Sequence, residues 1–104
     1  MVNTSGDYVL FINRANQIIH GNGAACAALG YAPADLTALS IEFLDTHLAP
    51  EDWQTIWDHL QHHASLNLRS SHRHQSGRAL DVSLEFKYIT LHGQDYSCII
   101  AMQH

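Results

Sequence analysis

Nine histidines in a chain of 104 residues outnumber its five lysines and arginines, so chemistry has to be sought first among imidazoles. His59 and His63 are four apart, a separation that stacks two side chains on one helix face and can hold Zn²⁺ or Ni²⁺. No cysteine or carboxylate completes a third ligand at nearby spacing, and no resident metal is expected. Ser70 and His72 run in phase with Leu66 and Leu68, which puts a hydroxyl and an imidazole on the leucine face of a strand. A serine and a histidine together suggest nucleophile and base, but no third, orienting acid is in reach along the sequence. Asp81 and Glu85 fall on the solvent phase of the next strand. With no paired acids and no Gly-rich phosphate loop, no catalytic residues and no enzyme are expected. Buried instead, Ser70 and His72 need hydrogen-bond partners. Water or a neighbour such as Tyr88 could supply them, or Ser70 and His72 could hold the polar handle of a ligand.

The element that must position these groups is Pro50–Ala64. Trp53, Ile56, Trp57, Leu60 and Ala64 recur at spacings of three and four and share one helical stripe. Pro50 suits the first turn, and Glu51 and Asp52 sit at the positive end of the helix dipole. Each tryptophan can bury roughly 150–250 Å², so the rest of the chain must provide a core or a cavity wall. The predicted elements before this helix are a strand over Tyr8–Asn13, a turn, and a strand over Gln17–His20, read together as a hairpin. A short Ala-rich helix follows over Ala24–Leu29, with Asn22 as N-cap and Gly30 as stop. Short helices follow in Pro33–Leu39 and in Ser40–Asp45. After the long helix come alternating strands at 66–74 and 80–88 and a last strand at 96–102, an antiparallel meander. Residues 1–7 read as a flexible lead-in and 8–103 as the core of a single domain. The order predicts an α+β domain, one antiparallel sheet with helices crossing one face.

Composition narrows the function classes. The formal charge is −5 with neutral histidines, which disfavours a nucleic-acid surface. Full histidine protonation would bring it to +4, so the charge responds strongly around pH 6–7. No apolar run approaches the ~20 residues that span a bilayer, and no signal peptide is visible; no direct membrane contact and a cytoplasmic location are expected. Cys26 and Cys98 stand in unrelated apolar contexts and read as buried reduced thiols.

Four stretches in this order resemble the PAS domain family over nearly the whole chain, Tyr8 to about Gln103. They are IIHGNGAACAALGY (18–31), APADL (32–36), LAPEDW (48–53) and RHQSGRALDVSLEF (73–86). Ala32, Ala38 and Ser76 depart from the Ser, Gly and Asp the family commonly carries there. The Asp-Ile-Thr exit signal expected near His104, and any effector, are not in this sequence. The resemblance implies a five-stranded antiparallel sheet and a cavity between it and the long helix. It also implies a sensory or dimerisation module of a bacterial signalling protein such as a histidine kinase or diguanylate cyclase. The partners so implied are a small molecule, a second copy and an effector domain of the parent protein. The expected pocket is Trp53, Trp57, Leu60, Ser70, His72, Phe86 and Tyr88. The reactive-cysteine stretch of flavin photosensors is lacking. Where haem relatives place an axial histidine, Trp57 stands, with His59, His62 and His63 off the inward stripe. No cofactor is therefore expected, haem or flavin being the alternative. A purely structural dimerisation domain is the other alternative, and Ile89, Leu91, Ile99 and the lead strand are the expected dimer surface.

Overall fold

The computed structural model describes residues 7–104. The lead-in expected over 1–7 therefore falls outside the described residues, apart from Asp7. Five strands form one antiparallel sheet in the order β2-β1-β5-β4-β3. β1 is Tyr8–Asn13, β2 Ile18–Gly21, β3 Ser65–Arg73, β4 Ala79–Leu91 and β5 Gln94–Gln103. Four helices, α1 (Gly23–Leu29), α2 (Pro33–Leu36), α3 (Ile41–Leu44) and α4 (Pro50–His62), lie between β2 and β3 in the chain. This is the α+β architecture that the pattern predicts.

Local rules explain most boundaries. Asn13 Oδ1 accepts from the Ala15 and Gln17 amides and closes the β1–β2 turn, with Asn16 at φ 65°. Asn22 caps α1 by accepting from Ala25 N, and the same oxygen accepts from Val9 N on β1. Gly30, at φ 84°, ends α1 and returns its amide to Cys26 O. Ser40 caps α3 through Phe43 N. At α4 the cap residue is Ala49, and Asp52 reaches back to accept from its amide at 2.8 Å.

Several boundaries differ from the predicted ones. Gln17 makes only an isolated bridge to Ser40, and the strand begins at Ile18. The helix expected over 33–39 stops at Leu36, where the Thr37 hydroxyl turns back onto Pro33 O and Ala34 O. Ala64 lies beyond the end of α4 and is exposed, so the buried stripe is Trp53, Ile56, Trp57 and Leu60. β4 and β5 run longer than the expected 80–88 and 96–102.

The core lies between α4 and the inner sheet face. Leu10, Ile12, Val82, Leu84, Phe86, Ile99 and Ala101 project from the sheet and are covered by the α4 stripe, by Leu29 and Leu36, and by Ile41 and Leu44. Ile99, expected on the outer face, is fully buried on the inner one. Its neighbours Cys98 and Ile100 are partly buried, in the opposite phase. Among the described residues no helix is long and apolar enough to cross a membrane.

Candidate functional site

Trp53 meets Phe86 edge-on, with ring centroids 5.8 Å apart, and Trp57 meets Tyr88 edge-on at 6.5 Å. Trp57 Nε1 donates to Asn16 Oδ1 at 2.8 Å, and the Arg14 guanidinium lies 5.0 Å from its ring centroid. Trp53 Nε1 is buried without a hydrogen-bond partner. Leu60 completes this layer, in which Trp53, Trp57, Leu60 and Phe86 are buried and Tyr88 is half-buried.

Ser70 and His72 are both buried, and their partners are not Tyr88. Ser70 Oγ donates to Asp45 Oδ2 at 2.6 Å. Tyr8 Oη lies 2.6 Å from His72 Nδ1. Asp45 Oδ2 also lies 3.6 Å from His72 Nε2, near enough for charge attraction and too far for a hydrogen bond, so Nε2 has no partner. The expectation that no acid is in reach of the Ser70–His72 pair is thus corrected. Asp45, only 3% exposed, follows the last residue of α3 and is brought onto β3 by an isolated bridge to His72 and by Thr46 N to Ser71 O.

The Asp45 carboxylate is satisfied on both oxygens, because Oδ1 accepts from the amides of His47 and Leu48 at 2.9 Å each. With that negative charge beside Nε2, we assign the single imidazole proton to Nε2, which leaves Nδ1 to accept from the Tyr8 hydroxyl. Burial pushes His72 down from the ordinary 6.5 to about 4, against the opposing pull of Asp45. Burial, and then the same carboxylate, pushes the Tyr8 phenol upward, so it keeps its proton. Ser70 is engaged as a donor to the acid, and no base faces it. The arrangement is a buried polar chain, Tyr8–His72–Asp45–Ser70, that joins β1, β3 and the α3–α4 connection.

Two openings border this interior. A groove of about 430 Å³ runs between α4 and the edge strand β3. Leu48, Ile56, Leu66 and Leu68 supply its apolar lining, and His47, Asp52, Thr55 and His59 its polar groups. None of the seven residues expected to form the pocket lines it. They lie behind it: Leu66 pairs in register with Phe86, on which Trp53 packs. A smaller cleft of about 270 Å³ lies by His47, Arg69, Ser70, Ser71 and Asp81 and reaches the polar chain at Ser70. His59 and His63 stack ring on ring at 4.3 Å rather than turning toward a common point. Among the described residues no three His, Cys, Asp or Glu side chains gather where they could hold a metal ion.

The strand order and helix placement can be compared with solved structures. The chain superposes with a TM-score of 0.84 on a PAS domain from a two-component sensor histidine kinase, over 99% of this chain and 88% of that one, at 19% identity. The fold is that of a PAS domain. A PAS domain of an HTR-like protein from Haloarcula marismortui gives 0.86 at 21% identity, covering 99% of this chain and 85% of the other. The PAS domain of nitrogen regulation protein NR(II) from Vibrio parahaemolyticus gives 0.76 at 17% identity, covering 99% and 94%. No protein-family model and no curated protein matches the sequence. In this PAS fold the residues that the sequence reading missed are Asp45 and Tyr8. The signal for Asp45 was faint: an aspartate just after a short helix, with amides two and three residues on free to be captured.

Proposed function

We propose that this chain is a non-catalytic sensory module that takes a small amphipathic ligand between α4 and β3 and passes its occupancy to an effector domain elsewhere in the parent protein. The observation that carries this reading is the groove itself. Its volume falls within the range of small-molecule sites, and it combines four apolar side chains with a few separate polar groups. In the core beside α4 the Trp53 indole N–H is buried and unpaired. The PAS domains of a sensor histidine kinase and of a nitrogen regulation protein share the fold, which supports a role in signalling.

The test is a thermal-shift screen of small metabolites against the wild type and Leu68→Trp, which fills the groove. A compound that raises the wild-type Tm and leaves the variant unmoved supports the reading. Stabilisation of both alike, or of neither across a broad screen, refutes it. A Soret or flavin band in the visible spectrum of the purified protein would replace the colourless ligand by a cofactor.

Self-pairing belongs to the same proposal. The outer sheet face carries Phe11, Ile89 and Ile100, partly buried, beside the exposed Leu91 and Met102. A mass by light scattering that stays monomeric at every concentration would remove this part of the reading.

A further inference from the structure

The groove and the buried polar chain share one structural element. His47 and Leu48 form the wall of the groove at the α3–α4 connection, and both of their amides are held by Asp45 Oδ1. The other Asp45 oxygen is held inside the domain by Ser70 and lies 3.6 Å from the unpartnered His72 Nε2. One carboxylate therefore fixes the groove wall and anchors it on the interior. We propose that Tyr8–His72–Asp45–Ser70 is a proton-operated latch on the groove: closed while His72 is neutral, and released, together with the Asp45–Leu48 wall, when His72 takes up a proton.

The argument rests on what surrounds the imidazole. From β1 the Tyr8 phenol faces it, and from the end of α3 the Asp45 carboxylate. Its cross-strand neighbour on β4 is the apolar Leu80. Among the described residues Asp45 is the one charged group that acts on it. An imidazolium here would be fully enclosed, with Nδ1–H pressed against a phenol oxygen and Nε2–H short of hydrogen-bond contact with an oxygen already used by Ser70. A buried charge so poorly paired is costly, and it is relieved when the segment that covers it lifts away. A small set of contacts holds the covering segment on β3. The Asp45–His72 bridge is isolated, and beside the carboxylate contacts the connection is fastened to β3 by the Thr46 amide and hydroxyl, both on Ser71 O, and by Arg73 Nε on Phe43 O. Lifting it exposes His72 to water, restores its ordinary basicity and opens the groove in one motion. The latch names the regulation of the groove site and rests on that reading for its biological sense, but its physics does not need the ligand.

The experiment is amide hydrogen exchange on the ligand-free wild type, read at His47 and Leu48 from pH 7.5 to 5.5 after correction for intrinsic exchange. With His72 at about 4 when closed and near 6.5 when open, the opening constant rises roughly tenfold over this interval. His72→Gln, which keeps a polar side chain that does not titrate, should hold the opening constant flat. His72→Phe serves as the second non-titrating variant if the glutamine form does not fold. A flat wild-type profile overturns the latch, and so does an equal rise in the non-titrating variant. A protein that binds no ligand in the thermal-shift screen but shows the histidine-dependent rise keeps the latch and loses the groove reading. The opposite pair of results does the reverse.

Discussion

Removal of the Asp45 carboxylate is the sharpest test of how this domain is held together. Asp45→Ala leaves three donors without their acceptor: the amides of His47 and Leu48, and the Ser70 hydroxyl. An unmet buried donor costs about 1–3 kcal/mol, and water entering at the edge of β3 recovers part of that. The expected loss is therefore about 3–5 kcal/mol, within the range for breaking a buried charged network. That is a large share of a typical domain stability of about 5–15 kcal/mol. Asp45→Asn should behave differently. Its carbonyl oxygen still accepts from the two amides, and its NH₂ group can donate to Ser70 once that hydroxyl rotates. The expected loss is about 1–2 kcal/mol. Urea denaturation followed by the fluorescence of Trp53 and Trp57 measures both, as a shift in midpoint at constant m-value. If alanine costs less than asparagine, or either stays within experimental error of the wild type, the carboxylate is not the anchor described above.

Three further outcomes follow from other parts of the structure. Unfolded His72 binds its proton near 6.5 and folded His72 only near 4, so the unfolded state holds more protons in between, and stability falls as pH drops through that window. The contribution is about 3 kcal/mol between pH 7 and pH 4, read as the difference between wild-type and His72→Phe denaturation curves; parallel curves would contradict it. Ser97 Oγ is buried with no partner, so Ser97→Ala should leave Tm unchanged or raise it, by up to about 1 kcal/mol of stability; a clear loss would mean that the hydroxyl is bonded. Gly30→Ala should cost about 1–2 kcal/mol in chemical denaturation, because φ is 84° and the new Cβ would lie 2.8 Å from the His74 ring; a neutral result would refute the strain.

Much of the fold is legible in the residues, for reasons that differ by element. β4 alternates cleanly because one face packs on the core and the other meets solvent, and that contrast is written into Val82, Leu84 and Phe86 against Asp81, Ser83 and Glu85. α4 is legible because its apolar stripe is narrow. β5 is not: in YSCIIAM both phases are apolar, so nothing local decides whether Ile99 or Ile100 faces the core, and Ile99 was expected outside. The site is legible only in half. Ser70 and His72 announce themselves by standing in a leucine phase. Their partners do not, because Tyr8 reaches His72 across the sheet and Asp45 reaches both through an isolated bridge. Contacts of that kind are set by strand order, which no local spacing encodes.

The placement of β1 beside β5, inside the sheet, has a kinetic consequence. The first strand is hydrogen-bonded along its length to the last, from Tyr8 opposite Ala101 to Asn13 opposite Tyr96. Loop closure between nearly opposite ends of the chain must therefore precede completion of the sheet, and that entropy is lost before the pairing returns it. Until β5 docks, the β1–β2 hairpin and the β3–β4 hairpin share no edge, and α4 has only part of a surface to cover. Folding should accordingly be slow for a domain of this size and close to all-or-none. A chain that ends before β5 would hold two unjoined hairpins with exposed edges, a species prone to pair with its own copies instead of with itself.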